Sequence, residues 1–378
     1  MMKAFRESST TLFNRHVQDW KTGGGNVVGY TCSYVPDEIF HAADILPYRL
    51  RGVGAREMNI ADAYFGPFIC SLPKCLLQLA GEGKYHFLDG VIVTPGCDSM
   101  RRLDDCWRKA GEDRTEAIPS FFFHYAVPHK TADYSLKWFI EETRRLKAAV
   151  ENHFNVTLSN DQLHEAIAIY NEGRLLLSRL DALRCATDVA ISGADALAVV
   201  LASTTIPRKA FNSLLMDLIA QIEAGTDRIT GRKRLMLVGS ANDDVELVRL
   251  IEGDKAVVVA DNLCFGARFY TDLVEPEGDP IAALAKRYLF HNDCPRMFGD
   301  YKGRLNILKD KIERAAVDGV ILQNIRFCDL HGSENGIFER DLEAVGIPCI
   351  RIEREYGPLV ETGRIRMRID AFLERLEK

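Results

Sequence analysis

The sequence predicts an α/β protein: two Rossmann-like or flavodoxin-like domains with mainly parallel sheets and a helical middle region. Three observations predict it. Residues 1–132 alternate β-branched or aromatic runs with amphipathic stretches, residues 133–228 keep a 3.6-residue apolar period, and residues 229–378 alternate again. Alternation of strand and helix is the pattern of a parallel sheet covered by helices. A chain of 378 residues is long enough for such a plan and for a sizeable core.

The elements follow in order. VVGYTCSYV (27–35) reads as a strand, and Pro36, Asp37 and Glu38 suit the first turn of the helix that follows. LPYRL (46–50) is a second short strand, and LDGVIVT (88–94) is a buried one. It ends at Pro95-Gly96-Cys97-Asp98, where SMRRLDDCWRKAG begins a helix. Residues 120–127, rich in Phe, give a fourth strand. SLKWFIEETRRLKAAVENHF and DQLHEAIAIYNEGRLLLSRLDAL are helical, and two further helices are separated by Pro207 and closed at Gly225. RLMLVGS (234–240), KAVVVADN (255–262), DGVILQNIRFCD (318–329) and IPCIRIE (347–353) are the later strands. RIRMRIDAFLERLEK is a terminal amphipathic helix, and the two α/β halves share a layout that points to a loose duplication.

Charge and motifs narrow the function. Lys+Arg 48 against Asp+Glu 54 gives a net charge of −6, opposite to the basic excess of a phosphate-neutralising nucleic-acid binder. No apolar run approaches the ~20 residues that span a bilayer, and the charged N-terminus has no signal-peptide block, so a cytoplasmic protein is expected, with neither nucleic acid nor membrane as partner. Gly23-Gly24-Gly25 precedes a strand instead of following one, and no G-x-x-x-x-G-K-S/T is present. No bound nucleotide is therefore expected on this chain. HExxH, G-x-S-x-G and EF-hand patterns are also missing.

Ten cysteines in a reducing compartment need another explanation than disulfides. Cys97 and Cys328 each follow a buried strand and precede an Asp, Asp98 and Asp329. Ligands in open α/β sheets bind at the carboxyl ends of strands, and converging thiolates there suit a soft metal or an iron–sulfur cluster. Scattered core cysteines remain the alternative at this point. Cys75 and Cys106 (helical), Cys185 (helical) and Cys349 (mid-strand) read as apolar fillers. So do Cys32, placed within the first strand-like run, and the loop residues Cys264 and Cys294, with Cys32 and Cys264 the least certain of the seven.

GYTCSYVPDE with HAADILPYRL, then ICSLPK, LDGVIVTPGCDSMRRLDDCW, FCD, GIPCIRIEREYG and RIRMRIDAF stand in an order that resembles the 2-hydroxyacyl-CoA dehydratase/benzoyl-CoA reductase family over nearly the whole chain. The resemblance implies that Cys70, Cys97 and Cys328 hold one 4Fe–4S cluster with one iron open, two ligands coming from the first domain and one from the last. It also implies the smaller of two related cluster-carrying subunits. The partners would be a larger homologous subunit and an ATP-hydrolysing iron–sulfur activator or electron donor fed by ferredoxin. The substrate would be an acyl-CoA thioester. CDSMRRLDDCW is more similar to the reductases that dearomatise benzoyl-CoA than to the dehydratases that eliminate water through a ketyl radical. An electron-relay subunit is a third option. A larger cluster would require Cys75 or Cys106 in the same pocket.

Arg101 and Arg102, after the cluster loop, are candidates for CoA phosphates or an anionic cluster, and Arg268 is a candidate to face the crevice. Asp98 and Asp329 are expected to orient the loops as caps or turn residues. His124 and His129 read as hydrogen-bonded structural histidines. Met367 stands where the family pattern carries Thr.

Overall fold

A computed structural model describes residues 1–114, 118–291, 293–357, 359 and 362–377. Lys378, the end of the expected terminal helix, lies outside them. Eight strands are described: β1 (Asn26–Tyr30), β2 (Ile45–Arg49), β3 (Gly90–Val93), β4 (Phe121–His124), β5 (Lys233–Gly239), β6 (Ala256–Asn262), β7 (Gly319–Ile325) and β8 (Cys349–Arg354). They form two four-stranded sheets in the orders β2-β1-β3-β4 and β6-β5-β7-β8, and every pairing is parallel. Counted within its own half, each sheet runs second-first-third-fourth. The strand order therefore reverses between β1 and β3 in one sheet and between β5 and β7 in the other, the positions where open sheets leave a crevice.

Strands β2, β6 and β7 are buried at every position. This explains their continuous apolar runs, because helices cover both faces of a parallel sheet. Edge strand β8 instead mixes buried residues (Cys349, Ile352, Arg354) with exposed ones (Arg351, Glu353). Several expected strands are shorter than the sequence implied, β3 among them at Gly90–Val93. β1 stops at Tyr30, so Cys32 lies in the turn beyond it and not within the strand. β7 stops at Ile325, because the chain turns sharply through Phe327 (φ 64°). β4 covers only Phe121–His124.

The middle region is helical, with helices Asp133–Phe154, Asn160–Cys185, Gly193–Ala202 and Arg208–Ala224. Ser159 and Gln162 cap the second of these reciprocally. Gly225 closes the last, though in an extended conformation instead of the left-handed one. Helices Met2–Thr10, Arg15–Thr22 and Pro280–Phe290 are additional to the expected elements. The first is tied down by Arg51, which donates to the Ser8 and Ser9 carbonyls, and by the Arg6–Asp195 ion pair.

One apolar cluster runs through both α/β halves, from Leu46 and Leu76 through Cys75 and Tyr356 to Leu237 and Ile369. Polar cross-links add direction. The Tyr356 amide donates to Ser71 Oγ at 2.7 Å, and the Gly52 amide to Tyr356 Oη at 2.9 Å.

A buried ionic knot joins the helix after β1 to the middle helices. Glu38 pairs with Arg174 and accepts from Tyr288 Oη, while Asp37 lies 3.9 Å from Arg208. Burial pushes the Asp37 carboxyl up to about 7. An unfolded Asp ionises near ~4. Between those values the folded chain keeps a proton that the unfolded chain loses, so this residue's contribution declines as pH rises towards 7. Wild type should therefore lose melting temperature relative to Asp37→Asn between pH 5 and pH 8. A constant difference across that range would refute the assignment.

Candidate metal centre

The chain enters three helices through a cysteine. Cys70 is the N-cap of Ser71–Gly81, Cys97 of Asp98–Asp113 and Cys328 of Asp329–Glu343. N-cap positions usually carry Ser, Thr, Asp or Asn, whose oxygen accepts from the first turn's free amides. Here sulfur stands in that place. None of these helices has an ordinary side-chain cap bond. The amides of Ser99 and Met100 nonetheless face Cys97, that of His331 faces Cys328, and that of Leu72 faces Cys70, each favouring thiolate.

The three loops converge. The Ser99 side chain, beside Cys97, acts on Cys70 in the direction of thiolate, and Cys328 feels both Cys70 and Cys97. Phe68 and Phe327 meet edge to face at 5.7 Å, which ties the Cys70 and Cys328 loops together. Both rings are exposed, Phe68 at 76%. Burial pushes the Cys97 thiol up to about 12 and raises those of Cys70 and Cys328 as well. Without a cation the trio stays protonated; a bound metal displaces those protons.

Among the described residues no three His, Cys, Asp or Glu side chains are gathered tightly enough to grip a single metal ion. A cubane asks for a wider arrangement, since each thiolate binds a different iron. Converging sulfurs, helix N-termini and thiolate-favouring amides fit such a group.

The remaining cysteines divide by their hydrogen bonds. Cys75 donates to the Tyr356 carbonyl, Cys106 to that of Tyr64, Cys185 to that of Val259 and Cys349 to that of Ile347. These four are satisfied structural thiols. Cys75 points at Tyr356 and Cys106 at Tyr64, not into a shared pocket as a larger cluster would require. Cys32, Cys264 and Cys294 lie in loops at the crevice. A Cβ added at Gly96, next to Cys97, would stand 3.9 Å from Cys32 Sγ. Ser33 Oγ donates to the Cys264 carbonyl at 3.0 Å. Arg296, two residues beyond Cys294, donates to the carbonyls of Gly96, Pro95, Val127 and Pro128.

Arg268 is 1% exposed, and its Nη2 donates to the Gly239 carbonyl at 2.9 Å. Its charge acts on both Cys264 and Cys294. Arg101 and Arg102 are exposed in the first turns of the Asp98–Asp113 helix, with Arg102 3.9 Å from Asp105. Asp98 and Asp329 are the first residues of their helices, while the capping positions belong to the cysteines themselves. That corrects the expectation that these aspartates cap. His124 bonds Asp104 at 2.7 Å, and His129 bonds the Arg296 carbonyl at 3.3 Å. Met367 is 69% exposed on the terminal helix.

The family model described as 2-hydroxyglutaryl-CoA dehydratase, D-component, matches residues 32–376. The chain is 26% identical to the lactoyl-CoA dehydratase subunit beta of Anaerotignum propionicum over 363 residues, 95% of this chain and 94% of the relative. It is 26% identical to one subunit of the benzoyl-CoA reductase of Thauera aromatica over 321 residues, 82% and 81% of the two chains. It is 27% identical to the putative dehydratase subunit YjiM of Escherichia coli (strain K12) over 384 residues, 98% and 97%. No helix among the described residues is long and apolar enough to cross a membrane. With a match that takes in β2 to β8 and all three cysteine-capped helices, the chain belongs to the 2-hydroxyglutaryl-CoA dehydratase D-component family.

Proposed function

We propose that this chain is an iron–sulfur subunit of an enzyme that transfers single electrons to a CoA thioester, with Cys70, Cys97 and Cys328 as ligands of one 4Fe–4S cluster. The observation that carries this reading is the meeting of three cysteine-capped helix N-termini at one crevice. Such a cluster supplies a low-potential one-electron couple with one iron free of protein thiolate. The chain's own residues do the rest. Amides of Leu72, Ser99, Met100 and His331 stabilise the thiolates. The buried side chains behind the loops, Leu76, Met100 and Ile325 among them, exclude water, and exclusion of water governs potential.

Partner subunits follow from the kinship, since the relatives are named as subunits. The exposed Phe68–Phe327 pair beside the cysteine loops suits contact with a second protein surface. Within the family, CDSMRRLDDCW favours reduction of an aromatic acyl-CoA such as benzoyl-CoA. Reversible electron transfer in a 2-hydroxyacyl-CoA dehydratase is the second reading, favoured by relatives bearing that name. Anaerobic co-expression with the neighbouring genes, followed by assay with benzoyl-CoA against a 2-hydroxyacyl-CoA, separates them. Ring reduction consuming electrons in proportion to product supports the first. Water elimination with catalytic electrons supports the second. An iron-free, colourless protein under strict anaerobiosis overturns both.

A further inference from the structure

An outer strand presents unpaired N–H and C=O groups to any chain that can line up beside it. β8 is an outer strand of the second sheet and pairs with β7 alone. On the β7 side, the Pro348 and Arg354 carbonyls accept from the Val320 and Arg326 amides. Backbone groups alternate in direction along a strand, so the carbonyls of Cys349, Arg351 and Glu353 point away from the sheet. Among the described residues no strand covers them. A groove of about 450 Å³ runs along this side, with Arg351, Glu353, Arg364 and Arg368 in its wall.

Three arginines take the outward carbonyls, one each. Arg368 Nη2 donates to the Arg351 carbonyl at 2.8 Å, Arg364 Nη2 to that of Glu353 at 3.4 Å, and Arg375 Nη1 to that of Cys349 at 3.5 Å. All three belong to the Thr362–Leu376 helix, which follows β8 and runs back along it. Four helical residues rise about 6 Å and two strand residues about 6.6 Å, so Arg364 and Arg368 meet alternate carbonyls in step. The closure extends across the edge. Arg375 pairs with Glu343 at 2.9 Å and Arg351 with Glu339 at 2.8 Å, and both glutamates lie on the Asp329–Glu343 helix. That helix packs Phe338 and Leu342 with Val320 and Leu322, whereas Ile365 and Ile369 pack with Ile321 on the other face. The first sheet repeats the device. β4 is its outer strand, and Arg145, on the Asp133–Phe154 helix that follows, donates to the His124 carbonyl at 2.8 Å. The amides of Phe121 and Tyr125 bond inward to Asp89 and Val93, so His124 also faces out.

We propose that Arg364, Arg368 and Arg375 form a clasp that occupies the outward carbonyls of β8 and keeps a second copy of this chain from adding its own β8 alongside. A second copy is the occupant kept out because the strand is its own complement. Two β8 edges related by a two-fold axis pair antiparallel and would join two four-stranded sheets into one. With the clasp in place, such an approach loses three carbonyl acceptors and brings like charges together. The clasp is independent of the metal centre, so its failure leaves the cluster reading intact.

The test is the mass of the full chain in solution. Arg364→Met/Arg368→Met/Arg375→Met keeps long side chains and removes every donor. Arg15→Met/Arg179→Met/Arg228→Met removes the same charge from exposed positions on other elements. Sedimentation velocity over a range of concentrations is run on each, with a thermal melt and far-UV circular dichroism. The clasp variant should reach about twice the wild-type mass or more as concentration rises, while the control keeps wild-type mass. Adding Arg351→Pro to the clasp variant removes an outward N–H without touching the β7 pairing and should restore wild-type mass. Hydrogen exchange should slow at the Arg351 and Glu353 amides only in the associated clasp variant. A folded clasp variant of wild-type mass overturns the inference, as does association that the control matches or that Arg351→Pro leaves unchanged. Should the triple variant not fold, Arg368→Met, which removes the shortest of the three bonds, carries the same comparison.

Discussion

Alanine at Cys70, Cys97 or Cys328 is expected to remove about four irons per chain and the brown absorption they carry, while alanine at Cys185 removes none. Each of the three is a helix N-cap whose sulfur faces the first-turn amides. On the proposed reading, replacement deletes one of three cluster ligands and leaves those amides without their sulfur partner. The loss should exceed about 100-fold in iron retention, the upper end of what outer-shell partners alone contribute. Cys185 differs in its surroundings. It closes the Asn160–Cys185 helix and donates to the Val259 carbonyl at 3.2 Å. Iron analysis after anaerobic purification checks the pair. Equal bleaching by Cys185→Ala would show the ligand choice to be wrong.

Gly239→Ala is expected to destabilise the crevice by ~3 kcal/mol or more, combining a strained backbone with overpacking. Gly239 ends β5 with φ 140°, and a Cβ there would stand 1.8 Å from the Gln323 carbonyl oxygen of β7. That neighbour is backbone in the middle of a sheet, so neither atom can step aside without opening the β5–β7 pairing. The same residue's carbonyl anchors Arg268. The damage therefore reaches the crevice as well as the sheet. Gly363→Ala is the control. Among the described residues, no atom outside its own helix backbone and chain neighbours lies within 4 Å of its added Cβ, and Gly363 is helical, so alanine there should be neutral or stabilising by up to ~1 kcal/mol. Chemical denaturation of the two variants measures the contrast. Equal stability would contradict the packing argument.

The order of the strands' appearance, the helical middle and the strand-end position of Cys97 were legible because a parallel sheet buried on both faces leaves continuous apolar runs in the chain. Cys97 and Cys328 were found by one rule: look at the carboxyl ends of buried strands. Applied to β1 and β6 the same rule reaches Cys32 and Cys264, but the apolar run VVGYTCSYV hides where β1 ends. Tyr34 and Val35, past Tyr30, are apolar because they pack from a turn into the core that holds Phe40 and Phe139, and not because they continue the strand. Cys294 carries no local signal at all. It reaches the crevice only because Arg296 ties its loop to Gly96 and Pro95, about two hundred residues earlier.

By itself the sequence determined the α/β class, the kinship carried by its ordered motifs, and the residue types available for thiolate chemistry. Those properties depend on local spacing and on which side chains prefer to leave water, and both are written along the chain. Only the tertiary structure decided which thiols face one another, that each of three cysteines takes a helix N-cap, and that Arg268 and Arg49 are buried short of partners. These facts arise from loops of distant sequence meeting where two sheets end, and no pattern of nearest neighbours encodes that meeting.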